Sequence, residues 1–211
     1  MRVSVFALAT AVVLFPTGAP GNDIILDQGF EFGALITGLA CGSGQTAMVS
    51  DDFSHPEEAL LEQIGIWVIY TGAPSDSYNL EVRNNGSEPG PEVLWSATGD
   101  NVANTDTGFA WTGYSIYHAE ITLEDTQFFS IAPDTEYWLC AQAVNGSPVF
   151  SLSRINLVGS MSHVSMDNGA TWVSSQQETG QQLDQFMMLY GSIGPQYFET
   201  NTWAGVKALF D

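Results

Sequence analysis

The stretch Glu136-Tyr137-Trp138-Leu139-Cys140-Ala141-Gln142-Ala143 decides the fold class. In an extended chain Tyr137, Leu139 and Ala141 share one face, while Trp138 and Cys140 share the other. One face must meet a core and the second is at least partly covered, which is the situation of a strand in one of two packed sheets. Pro133-Asp134-Thr135 turns the chain into this strand.

The same reading extends outward. Gly65 to Tyr70 (GIWVIY) is a short aromatic and β-branched run closed by Thr71-Gly72-Ala73-Pro74, and it reads as a core strand. Tyr78 to Arg83 alternates apolar and polar residues before the Asn84-Asn85-Gly86-Ser87 turn. Glu92 to Ser96, Phe109 to Ile116, His118 to Leu123, Val149 to Leu157 and Gln185 to Tyr190 are further strand candidates. Glu57 to Gln63 has spacing compatible with a helical turn or a strand. Eight or more short strands separated by turn chemistry predict an all-β fold, an antiparallel β-sandwich of jelly-roll character.

Met1-Arg2 followed by the apolar run Val3 to Phe15 has the layout of an export signal, with small residues before a cleavage point at Asn22. The expected organisation is a leader over 1–21 and a single domain over 22–211, long enough to bury a sizeable core. The run is too short to span a bilayer. The expected location is therefore extracellular, without membrane insertion.

Four basic residues stand against 24 acidic ones, giving a formal charge of −20. Nucleic acid and anionic membranes both require a basic footprint, so neither is an expected partner. The acidic residues are interspersed with Trp, Tyr and Phe, as on the surface of a folded domain. In an exported chain Cys41 and Cys140 are expected to form a disulfide. Closing a loop of about 100 residues is worth roughly 5 kcal/mol in the loop-entropy picture. Two buried free thiols, or pairing with another chain, are the alternatives.

Gln45-Thr46-Ala47-Met48-Val49-Ser50-Asp51-Asp52-Phe53, then Ile64-Gly65-Ile66-Trp67-Val68-Ile69-Tyr70, then the Pro89-Gly90-Pro91 turn together resemble secreted bacterial β-sandwich domains. In those domains a Gln-containing lead-in reaches an Ala-Asp-Asp-Phe strand start, and here Ser50 stands in place of the Ala. The resemblance runs from Gln45 to Asn145 and implies fold and location more than activity. A second likeness is local. Ser165-Met166-Asp167-Asn168-Gly169-Ala170-Thr171-Trp172 resembles the Asp-box hairpin of sialidase-like propellers. Asp167 is expected to accept turn N–H bonds, Gly169 to take a positive φ and Trp172 to pack back over the turn. One copy makes no propeller, and the two arginines after the leader, Arg83 and Arg154, are too few for sialidase chemistry.

Candidate ligand contacts are aromatic. A ring plane meets the apolar C–H face of a sugar while neighbouring polar groups take its hydroxyls. Trp95, Trp111, Tyr114 and Trp203 lie in polar or Gly-rich surroundings and are the expected exposed rings, whereas Trp67 and Trp138 lie in strand runs and read as core. Calcium is the one cofactor that the composition suggests. Asp100, Asn104 and Asp106 are its candidate ligands within Asp100 to Gly108, a segment whose simpler reading is a solvated turn. Asp51-Asp52 is a poor clamp alone, because neighbours on a strand point to opposite faces.

No GxSxG elbow or HExxH motif is present. Glu120 and Glu136 are carboxylates without a spacing that marks an acid and base pair, and Ser160-Met161-Ser162-His163 places nucleophile and base types too near one another for a triad. The favoured function is a noncatalytic secreted module that binds carbohydrate or a cell-surface polymer. The alternatives are a self-associating structural subunit of a filament or matrix, with Asp51-Asp52-Phe53 or Tyr197-Phe198 as packing segments, and a glycoside hydrolase or polysaccharide lyase.

Overall fold

A computed structural model of the chain describes residues 23–30, 35–42, 46–84, 86–144, 149–155, 157 and 159–194. The expected leader, Trp203 and the Tyr197-Phe198 segment lie outside the described residues. In chain order the strands begin with β1 (Asp23–Gln28), β2 (Leu35–Ala40), β3 (Met48–Phe53), β4 (Ala59–Tyr70), β5 (Tyr78–Arg83), β6 (Val93–Gly99) and β7 (Asn101–Trp111). They continue with β8 (Tyr114–Thr122), β9 (Phe129–Ile131), β10 (Tyr137–Ala143), β11 (Val149–Arg154), β12 (His163–Ser165) and β13 (Val173–Ser174). A short helix α1 (Ser175–Thr179) leads to β14 (Asp184–Gln185) and β15 (Met187–Ile193). No helix among the described residues is long and apolar enough to cross a membrane.

Two antiparallel sheets form the expected sandwich. One has nine strands along the path β1-β15-β4-β11-β14, with β2 joined to β11, β9 and β8 joined to β4, and β7 joined to β8. The other has six in the order β13-β12-β3-β10-β5-β6. This establishes a sandwich without by itself establishing jelly-roll wiring. Each sheet is organised around a strand covered on both faces: β10, as its alternation predicts, and β4, which contains the GIWVIY run. The residues from Ala59 that suit either helix or strand are strand, because β4 gains partners along its length from β9, β15, β8 and β11 in turn.

Inward positions of the two sheets make one core, including Ile64, Ile66 and Val68 of β4, Leu80 and Val82 of β5, and Leu139 and Ala141 of β10. The outward positions of the central strands make two satellites. Outside the nine-stranded sheet lie Trp67, Ile69, Ile116, Leu152 and Phe186, with Phe30, Trp111 and Phe150 against them. Outside the six-stranded sheet lie Met48, Trp138 and Cys140, with Trp172 against them. Trp67 and Trp138 are therefore buried, but beneath the outer surfaces and not between the sheets.

Three expectations are corrected. Cys41 and Cys140 are free thiols. Cys41 belongs to the core between the sheets and Cys140 to the outer satellite, so the six-stranded sheet separates their side chains, whereas a disulfide needs Cβ atoms about 4 Å apart. Burial pushes the Cys41 thiol up to about 12 and the Cys140 thiol higher still, leaving both protonated and inert. Secondly, Asn101 to Gly108 is strand and not a solvated turn. Its polar composition reflects pairing on one side only, with β8, so that most of β7 faces water. Thirdly, Phe109 to Ile116 is not one strand: it turns at Thr112-Gly113, where both residues have positive φ (50° and 91°), and returns as β8.

Candidate functional site

That turn creates an aromatic site. Trp111 and Tyr114 are cross-strand partners at the tip of the β7–β8 hairpin. They flank a depression of about 290 Å³ that also draws on Ile69 of β4, Phe150 of β11, Gly38 of β2, and Thr71 and Thr112. Tyr114 is 43% exposed, while Trp111 is half-buried against the outer satellite, which holds its ring in place. Further along the same face, Phe30 stacks on Trp67 at 6.1 Å between centroids and Trp67 stacks on His118 at 4.2 Å. A Cβ on Gly65 would fall 2.6 Å from the His118 ring, so the glycine makes room for this stack. Phe109 continues the aromatic belt towards solvent at 47% exposure.

Trp95 stands apart from this site. It is half-buried, donates its indole N–H to the Gln127 carbonyl at 2.8 Å and leans on Phe129, and it lines a separate depression of about 460 Å³ with Ser96, Thr98 and Thr126. Of the expected calcium ligands, Asn104 and Asp106 lie on β7 and Asp100 immediately precedes it. Asp100 and Asp106 are six residues apart, about 20 Å at strand rise. Asp100 accepts from the Ser77 hydroxyl at 2.6 Å, Asn104 bonds Tyr70 and the Ser75 carbonyl, and Asp106 accepts from the Gly108 N–H. Their geometry gives no shared coordination sphere, and among the described residues no group of three or more His, Cys, Asp or Glu is disposed to hold a metal.

The Ser165 to Trp172 hairpin closes on its own side chains. Asp167 accepts the Thr171 N–H at 2.8 Å, the Thr171 hydroxyl at 2.7 Å and the Ser165 hydroxyl at 2.8 Å. These bonds, the Thr171 N–H foremost, hold its carboxyl down at about 2. Gly169 sits at φ 80°, and a Cβ there would lie 2.5 Å from the Arg83 guanidinium. Trp172 lies over the sheet with Arg83 5.4 Å from its ring centroid. Thr46 anchors the loop from below, accepting the Asn168 N–H at 3.0 Å.

A tight carboxyl pair carries no local signal in the sequence. Asp51 points inward from β3 and hydrogen-bonds Asp184 of β14, linking the two sheets, and it also accepts the Gln185 N–H at 2.7 Å. Burial, then the Asp184 charge, raises the Asp51 carboxyl well above the ordinary range. Asp52 faces the opposite way, accepts the Ser160 N–H at 2.8 Å, and is raised by partial burial to about 6. Asp184 lies 3.7 Å from Arg154. Asp51 and Asp184 are 133 residues apart in sequence, and only the folded chain brings the two together.

The residue types considered for catalysis are dispersed or engaged. Glu120 is on β8 in the nine-stranded sheet and Glu136 immediately precedes β10 in the other. His118 is stacked on Trp67, and His163 meets Trp138 edge-on at 5.1 Å. Burial lowers the pKa of both imidazoles and favours their neutral form. The Ser162 hydroxyl donates to the Leu183 carbonyl and accepts from Gln185. Comparisons with protein-family models, curated proteins and solved structures give no match.

Proposed function

We propose that this chain is an exported, noncatalytic module that binds a neutral carbohydrate or cell-surface polymer, with Trp111 and Tyr114 as its stacking platform. The observation that supports this reading most is their cross-strand pairing beside one depression. A ligand with apolar C–H faces gains from the two rings, and the Thr71 and Thr112 hydroxyls at the same depression are of the type that takes sugar hydroxyls. The satellite beneath Trp111 fixes that ring before a ligand arrives, which reduces the ordering cost of binding. The charge of −20 disfavours anionic glycans.

Affinity electrophoresis through gels containing neutral polysaccharides tests the proposal. Retardation by at least one polysaccharide, removed in Trp111→Ala and Tyr114→Ala, is the expected result. Migration unchanged in every gel removes the support for it.

Self-association is the second reading, and it has its own observation. β6 ends the six-stranded sheet and exposes Val93 and Leu94 at 42% and 43%. An apolar edge strand offers unpaired backbone groups to another copy. Sedimentation velocity over a range of concentrations distinguishes this reading, which predicts growth of assemblies that Val93→Lys suppresses.

A further inference from the structure

The outer face of the six-stranded sheet carries a second arrangement, separate from the aromatic depression. Because Leu80, Leu139 and Ala141 point into the core, their neighbours Asn79 on β5 and Gln142 on β10 point outward. The register places Gln142 opposite Asn79 and Asn79 opposite Thr98 of β6, so three polar side chains fall in one row. They are bonded in sequence. The Thr98 hydroxyl donates to Asn79 Oδ1 at 3.4 Å, Asn79 Nδ2 donates to Gln142 Oε1 at 3.2 Å, and Gln142 Nε2 donates to Asn168 Oδ1 at 2.9 Å. Asn168 belongs to the Ser165 to Trp172 hairpin, so that hairpin extends the row beyond the sheet. The row lies along a depression of about 570 Å³ with Met48 and Ser96 at its borders.

We propose that this depression is a second binding site, for a neutral oligosaccharide held by hydrogen bonds from the amide row. Each primary amide has two N–H donors and two acceptor lone pairs, and each bond along the row uses one donor and one acceptor. The remaining donors and acceptors match the paired donor and acceptor character of sugar hydroxyls. Gln142 is 6% exposed and held from both sides, so it is oriented before a ligand arrives. The volume falls within the range of about 300–1,000 Å³ usual for small-molecule sites.

Charge narrows the ligand class. The nearby cation, Arg83, is engaged by Glu81 at 2.7 Å and by the Gly90 carbonyl at 3.2 Å. Glu81 itself borders the depression, which disfavours an anionic ligand. Asn168 occupies the left-handed region at φ 56°, with its N–H held by Thr46. Glycine would fit that backbone as well, and the Asn side chain adds the bond to Gln142.

The test is a proton–nitrogen correlation spectrum of the full chain, titrated separately with cellopentaose, maltopentaose, mannopentaose and xylopentaose. One or more of the four is expected to shift the side-chain NH₂ signals of Asn79, Gln142 and Asn168. Asn168→Gly keeps the left-handed backbone and is expected to weaken that binding about tenfold, the scale of one or two lost hydrogen bonds. Thr98→Val, on an exposed position of the edge strand, is expected to weaken it by less. Trp111→Ala is expected to leave these amide shifts unchanged, which separates this site from the aromatic one. Three results would overturn the proposal: amide signals unmoved by all four sugars, shifts confined to the Trp111 indole, or unaltered affinity in Asn168→Gly.

Discussion

The two outer faces of the sandwich are built from different materials. Outside the nine-stranded sheet, rings from β4, β8 and β11 form a belt that reaches solvent at Tyr114 and Phe109. Outside the six-stranded sheet, Trp138 and Cys140 are buried at one end, while the row from Thr98 to Asn168 is polar. Both sheets have a central strand with apolar residues on both sides, yet the neighbours differ. β8 and β11 bring Ile116, Leu152 and Phe150 alongside β4, whereas β5 and β6 bring Asn79, Glu81, Ser96 and Thr98 alongside β10. What a face offers to a ligand is thus set by the outward residues of the flanking strands.

The largest effect is expected from removing the ring at the centre of each face. Trp67→Ala and Trp138→Ala are each expected to cost about 3–5 kcal/mol of stability, measured by urea denaturation. Half-buried Trp111→Ala should cost about 1–2 kcal/mol, in proportion to the area it covers. If Trp111→Ala destabilises as much as Trp67→Ala, the ring belongs to the core and the hairpin tip is not a platform.

The carboxyls that link or flank the sheets give a second test. Asp51 and Asp52 both have raised pKa values in the folded chain, so folding retains protons that the unfolded chain releases. Their contribution is fully present below the ordinary aspartate pKa of about 4. It is lost as pH rises through the folded values, about 6 for Asp52 and well above the ordinary range for Asp51. Urea midpoints should therefore fall from pH 4 towards pH 8, and Asp51→Asn should flatten the profile. A wild-type profile that rises over this interval, with Asp51→Asn following the same course, contradicts the buried acid pair.

The hairpin on the polar face provides a smaller effect. Thr171→Val removes the hydroxyl bond to Asp167 and should lower stability by about 0.5–1 kcal/mol. Smallest is the response to reductant: with both cysteines free, dithiothreitol should leave the thermal midpoint unchanged. A thiol reagent should count two thiols in denaturant and none in the native protein. A midpoint that drops on reduction restores the disulfide.

Local signals were legible in the chain, and long-range pairings were not. The alternation of Tyr137 to Ala143 announced a strand covered on both faces, because side-chain direction in a strand depends on position alone. The hairpin around Asp167 was equally readable, since its bonds join residues two to four positions apart. β7 was hidden because an edge strand exposed to water carries the residues of a loop. The Trp111 and Tyr114 pair was hidden for a related reason: Thr112-Gly113 lacks the Asn-Gly or Asp-Gly signature of a two-residue turn. Asp51 with Asp184, Trp95 on Gln127, and Asn168 on Gln142 depend on register between distant segments. Sequence types alone do not place them together.

We propose the rings at the β7–β8 tip as the platform for a neutral carbohydrate. Screening the full chain on a broad glycan array, with Trp111→Ala alongside and with and without a chelator, tests it most directly. Selective binding to neutral glycans that is lost in Trp111→Ala and indifferent to chelation is the predicted result. Silence across the array from a folded sample, or binding that Trp111→Ala leaves intact, contradicts it.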